Sequence, residues 1–211
     1  MHPDGPASKL ADTACDFAKA VGLPLAEEVG LMLRETFAYT RLKNFVRVTE
    51  KAEALIRERG LSHRQLPEEF CLPLFEGMQR ASSEELRAAF ARLIAETLVE
   101  DDAVHPGLAT KLGAMSSSDA RVLVAVVESP PGLLTKGEEW KEKLGEAAGL
   151  SQNQAHTALL HLGSLGLLST SRKHLGPFGL RLAEVCFADR ATVERCREQY
   201  RKAGSQLLMG M

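Results

Sequence analysis

A segment that lacks acidic residues holds the side chains best suited to binding chemistry. Between Ala147 and Ala183 there is no Asp or Glu, whereas Arg172, Lys173 and Arg181 make this segment basic within a chain of formal net charge −2. Basic side chains attract nucleic-acid phosphates, and an Asn or Gln amide can pair with the edge of an adenine. The candidate nucleic-acid or partner contacts are Asn153, Gln154, Thr157, His161, Arg172, Lys173 and Arg181.

The same segment is also consistent with protein contact. Tight DNA binders commonly neutralise on the order of 6 to 10 phosphates. Arg172, Lys173 and Arg181 could reach that number only if a dimer doubled the count of basic residues. The predicted helix after Ser151 has no Lys or Arg, and the register that buries Leu159 and Leu162 leaves Leu160 exposed. We therefore favour a protein-contact or structural role for this segment, with DNA binding as the alternative.

A second candidate surface is a basic face on a long predicted helix. It carries Arg41, Lys43, Arg47 and Lys51, with Phe45 between them and Phe37 and Tyr39 just before them. This combination is found on surfaces that bind nucleic acids or anionic lipids. However, glutamates interleave with these bases along the helix, and mixed charge is typical of a solvated helix face. A solvated face is the favoured interpretation.

No familiar catalytic or metal-binding pattern occurs in the sequence. It has no phosphate-binding glycine loop, no nucleophile elbow and no pair of helical histidines four residues apart. The four cysteines are too far apart in sequence for a zinc-binding pattern. We therefore expect no catalytic residue, no metal and no cofactor, and hence a protein that is not an enzyme.

Apolar residues recur at helical spacing through most of the chain, which predicts a mainly α fold. Residues 8–115 form a predicted helical body with a helix of roughly 35 residues from about residue 25, ended by Gly60. Residues 116–187 show the order of a winged helix-turn-helix: three helices, then an extended segment with at most a small β-hairpin. A C-terminal helix to about residue 203 and a frayed tail make up residues 188–211.

Local signals predict several helix ends. Ser82 with Glu85 and Ser116 with Asp119 have the spacing of a capping box, and Ser151 is a further predicted N-cap. Pro67 can begin a helix, and the nearby Pro73 should kink it or begin a second short one.

Hydrophobic patterning also bears on location. No apolar run approaches the roughly 18 residues that span a bilayer, and the N-terminus lacks the charged and apolar regions of a signal peptide. We expect a cytoplasmic protein for which a membrane partner is disfavoured. Self-association or a protein partner is expected, and nucleic acid is a second class of partner.

Several ordered segments carry a family resemblance. They are YTRLKNFVRVTEKAEALIRERGL at 39–61, LPEEFCLPLFEGMQRASSEELRAAFARLIAETL at 66–98, VHPGLATKLGAMSSSDARVL at 104–123, and the later GSLGLLSTS and LGPFGLRLAEVCF. Together they resemble the abortive-infection alpha family, bacterial proteins associated with phage defence. The resemblance covers most of the chain, roughly residues 26–187, and brings no catalytic residues with it.

The resemblance implies a function in phage defence. We expect a cytoplasmic, non-enzymatic abortive-infection protein that acts through protein or nucleic-acid binding. The alternative is a winged-helix DNA-binding transcriptional regulator, which the acid-free segment described above favours.

Overall fold

The computed structural model describes residues 12–13, 15–17, 19–20, 39–61, 65–99, 104–128, 140–168 and 175–209. These residues are mainly helical, which confirms the predicted fold class. The chain divides into two compact units, unit 1 (Met1–Ala114) and unit 2 (Met115–Met211). Unit 1 contains α1 (Tyr39–Glu58), α2 (Glu68–Arg80), α3 (Glu84–Val99) and α4 (Gly107–Ala114). Unit 2 contains α5 (Ser117–Glu128), α6 (Trp140–Ala148), α7 (Gln152–Ser164), α8 (Pro177–Cys186) and α9 (Arg190–Met209).

The core of unit 1 lies between α1, α2 and α3. Helix α1 packs along α3 and against α2, while α4 packs on α2. The rings of Phe45 and Phe75 meet edge to face with centroids 5.4 Å apart, and Phe90 is buried on α3. The buried amide of Asn44 donates to the carbonyl of Gln79 at 3.2 Å. Apolar packing and this hydrogen bond therefore hold α1 to the end of α2.

Helix α1 ends as predicted at Gly60. Gly60 has φ +64°, and the N–H of Leu61 donates to the carbonyl of Ile56 at 2.9 Å. This is a Schellman ending, in which glycine adopts the left-handed conformation at little cost. Residues 25–38, the first part of the predicted long helix, lie outside the described residues.

Two predictions concern the segment before α3. Helix α2 continues through Pro73, so of the two outcomes predicted for this proline the second short helix does not occur. Proline at that position removes the bond to the carbonyl of Glu69, an exposed residue. Helix α3 is capped by Ser83, whose Oγ accepts from the N–H of Leu86 at 3.3 Å. Ser82, the predicted cap, uses its carbonyl to accept from the Arg87 guanidinium instead.

Unit 2 is built around three mutually packed helices, α5, α6 and α7, with α8 and α9 packed on α5. Its fully buried side chains include Leu123, Leu144 and Leu162. Helices α6 and α7 end at Gly149 (φ +62°) and Gly166 (φ +69°). The predicted stop of α6 at Gly149 is thereby confirmed.

The predicted wing is not supported by the described residues. Among the described residues the β pairing consists of one antiparallel bridge, between Leu168 and Leu175. Residues 169–174, which include Arg172 and Lys173, lie outside the described residues. The winged-helix module and its small hairpin therefore stay a prediction.

The last helix is longer than predicted. Helix α9 runs to Met209, past the predicted end near residue 203 and into the segment predicted to fray. After Gly204 and Ser205 the chain continues with Gln206, Leu207, Leu208 and Met209, and these four residues favour helix. None of the helices in the described ranges combines the length and hydrophobicity that a membrane span requires.

Candidate functional site

The start of α7 is fixed by a reciprocal capping box. The Oγ of Ser151 accepts from the N–H of Gln154 at 3.3 Å, and Oε1 of Gln154 accepts from the N–H of Ser151 at 3.1 Å. The predicted cap at Ser151 is confirmed. Reading an adenine edge requires both the oxygen and the nitrogen of an amide. Because the Gln154 oxygen is used within the helix, this conformation leaves Asn153 as the better placed of the two predicted base readers.

The register of α7 agrees with the prediction. Ala155, Leu159 and Leu162 are buried, whereas Leu160 is 37% exposed. Because the helix repeats every 3.6 residues, burial of one stripe turns the opposite stripe outward. The exposed side chains of α7, here called the α7 face, are Gln152, Asn153, Gln154, Thr157, Leu160 and Ser164. All of them are uncharged.

A buried carboxylate anchors one edge of α7 to the start of α5. Asp119 is 1% exposed, and its Oδ2 accepts from the N–H of Ser116 at 2.6 Å. The Oγ of Ser116 accepts in turn from the N–H of Asp119 at 3.2 Å, which confirms the predicted cap. Nδ1 of His161 lies 2.8 Å from the same Oδ2. His161 therefore positions α7 on α5, and its Nε2 is the ring nitrogen left for a partner.

Replacing Asp119 should destabilise unit 2. Asp119→Ala removes the helix cap and the partner of His161, and we expect a loss of about 2 kcal/mol in the free energy of unfolding. The only tryptophan of the chain, Trp140, lies in unit 2, so its fluorescence in a urea titration follows this unit. Ser118→Ala, one position earlier, is the matched control and should change the free energy by less than about 0.5 kcal/mol. Equal unfolding midpoints for the two variants would contradict the anchoring role.

The basic side chain of α8 pairs locally with an acid. Nη1 of Arg181 lies 3.2 Å from Oε2 of Glu184, an acid just beyond the acid-free segment. The same oxygen accepts from Nη2 of Arg197 at 3.2 Å. Arg181 is therefore part of an ion-pair network within unit 2, and the field that it offers to a phosphate is reduced. This ion pair was missed in the sequence because only the charges within the acid-free segment were considered, and Glu184 lies one residue beyond that segment.

The predicted basic face of α1 is divided by the helix geometry. Lys43, Arg47 and Lys51 follow one another at intervals of four residues, so they share one stripe. Arg41 lies roughly 120° around the axis from Arg47. Lys43 and Arg47 are exposed, while Nζ of Lys51 pairs with Oε1 of Glu84 on α3 at 2.6 Å.

One polar side chain near this stripe was missed in the sequence. Arg87 on α3 is only 7% exposed. The signal was available, because Arg87 shares a helix face with Ala91 and Ile94, both of which are buried. Within the described ranges, no group of three or more His, Cys, Asp or Glu side chains is placed to hold a metal ion.

Comparison with known proteins supports the family resemblance. The family model described as abortive infection alpha matches residues 39–205. No curated protein and no solved structure matches the chain. Because the family match covers α1 to α4 of unit 1 and most of unit 2, the chain belongs to the abortive infection alpha family.

Proposed function

We propose that the protein acts in bacterial phage defence by abortive infection, as a non-enzymatic protein that binds another protein through the α7 face. The defence role follows from family membership. The binding mode is supported by one observation: the exposed residues of α7 are uncharged and include Leu160. Charged side chains are depleted at the centres of protein interfaces, whereas DNA binding requires several phosphate contacts.

The defence role predicts a dependence on phage dose. A susceptible bacterium that expresses the protein should survive as a culture at low phage dose and collapse at high dose, compared with cells that carry an empty vector. This pattern arises because abortive infection stops the infected cell and protects its neighbours. Growth curves across a varied phage panel provide the measurement. The absence of protection at every dose and with every phage would count against the defence role.

Leu160→Lys tests the α7 face. Because Leu160 is partly exposed at 37%, the substitution should change the free energy of unfolding by less than about 0.5 kcal/mol. A charge at the centre of a protein interface should nevertheless abolish phage protection. Leu72→Lys is the matched control, since Leu72 is 65% exposed on α2 of unit 1. Full protection by the Leu160 variant would show that the α7 face is not the contact surface.

The second candidate function is DNA-binding regulation. It is favoured by the acid-free segment and by the order of α5, α6 and α7 followed by the Leu168–Leu175 bridge. In this case Leu160→Lys should retain or strengthen DNA binding, because it adds a positive charge. The double variant Arg172→Glu, Lys173→Glu should abolish the retention of DNA in a gel-shift assay through lost phosphate contacts. Protection that survives this double variant would favour protein contact.

A further inference from the structure

Arg87 is a buried cation with unused hydrogen-bond donors. Its side chain is 9% exposed, and its Nη2 donates to the carbonyl of Ser82 at 2.7 Å. Its Nε and Nη1 are buried and have no hydrogen-bond partner in the described part of the chain. A buried charged donor that lacks an acceptor is unfavourable by an amount comparable to a lost hydrogen bond. The guanidinium is therefore suited to a further acceptor.

The nearest carboxylate reaches Arg87 only at long range. Oε2 of Glu84 lies 3.7 Å from Nε of Arg87, which is too far for a hydrogen bond. Oε1 of the same carboxylate is held by Lys51 at 2.6 Å. The hydrogen bond from Lys51, together with the charges of Lys51, Arg87 and Arg47, lowers the pKa of Glu84 below its ordinary value. Lys51 and Arg87 thus flank one carboxylate, and Arg47 lies one helical turn before Lys51 on α1, so the cluster has excess positive charge.

The position of this cluster in the fold also favours an anion. Glu84 is the first residue of α3, a helix of 16 residues, and a helix N-terminus attracts negative charge through its dipole and free N–H groups. The side chain of Glu84 is 67% exposed. It can therefore move into solvent without disturbing the core, and this movement would take away the carboxylate that lies 3.7 Å from Nε of Arg87.

We propose that Lys51 of α1 and Arg87 in the first turn of α3 bind the phosphate group of a small ligand, with Arg47 adding positive charge one turn before Lys51, and that this group replaces the carboxylate of Glu84. A phosphate presents more acceptor oxygens than a carboxylate, so it can bind Lys51 and Arg87 at the same time. Glu84 is then an internal competitor for the site. The site lies in unit 1 and does not depend on the binding role proposed for the α7 face.

Calorimetric titration of the full chain at low ionic strength tests the site, because salt screens such contacts. The probes are inorganic phosphate, a nucleoside 5′-monophosphate and, as a carboxylate control, acetate. We expect phosphate to bind and acetate to bind at least about fivefold more weakly. A heat of binding from the nucleotide alone would also support the site and would show that a phosphomonoester is its ligand. No heat from either phosphate probe at millimolar concentration would overturn the proposal, as would equal affinity for acetate.

Variants separate the proposed site from general charge effects. Glu84→Gln removes the competitor and should tighten phosphate binding about fivefold, whereas Lys51→Met should weaken it at least about fivefold. Arg57→Met on the exposed side of α1 is the matched control and should bind like the parent chain. Because Glu84→Gln predicts a gain of affinity, a loss of folding cannot imitate it. Weaker binding by Glu84→Gln, or an equal loss with Arg57→Met, would overturn the proposal.

Discussion

Gly179→Ala is expected to remove a large part of the stability of unit 2. A Cβ at Gly179 on α8 would overlap the carbonyl oxygen of Leu167 and lie 2.9 Å from its carbonyl carbon. That carbonyl is fixed in place, since it accepts from the N–H of Gly176 at 2.9 Å. Two stretches of backbone would have to separate, and we expect a loss of about 3 kcal/mol in the free energy of unfolding. Urea titration followed by Trp140 fluorescence measures it.

A neighbouring glycine supplies the control. Gly176 is the N-cap of α8 with φ −71°, and the atom nearest to a Cβ built there is 3.6 Å away. Gly176→Ala should therefore cost less than about 1 kcal/mol, the size of a weakened cap. If Gly179→Ala unfolded at the same urea concentration as the Gly176 variant, the close approach of α8 to Leu167 would be contradicted.

Features of the fold that depend on neighbouring residues could be predicted from the sequence. The cap at Ser151, the cap formed by Ser116 with Asp119 and the stop at Gly60 each involve residues within five positions of one another. The exposure of Leu160 also followed from helical periodicity alone. Such signals are readable because helix ends and helix faces obey local rules.

Contacts between distant residues could not be predicted in the same way. Asp119 and His161 are 42 positions apart, and helical periodicity does not show which polar side chains meet. Ser83, and not Ser82, caps α3, and the carbonyl of Ser82 accepts a hydrogen bond from Arg87 instead. This second contact depends on how Arg87 is buried. For the candidate site, therefore, the sequence could predict which side chains are exposed. The ion pair of Arg181 with Glu184 and the unused donors of Arg87 required the structure.

Gly77→Ala is expected to destabilise unit 1 by about 2 to 3 kcal/mol. A Cβ at Gly77 on α2 would overlap the ring of Phe90, lie 2.7 Å from its Cε1 and lie 3.1 Å from the Cα of Gly113 on α4. Phe90 is 1% exposed, so its ring cannot turn into solvent to avoid the new methyl group. The gain of up to about 1 kcal/mol in helix propensity offsets only part of this strain. Helical circular dichroism during urea unfolding measures the change.

Replacing the ring of Phe90 with a smaller side chain should relieve the strain that Gly77→Ala creates. Phe90→Leu removes the ring atoms nearest to Gly77 and should by itself cost on the order of 1 to 2 kcal/mol through lost packing. In the double variant the new methyl group occupies space that the ring has left. The double variant should therefore be more stable than the sum of the two single changes predicts, by at least about 1 kcal/mol. Additive losses would show that the strain comes instead from the approach of α2 to α4 at Gly113, because that contact is unchanged when the ring is shortened.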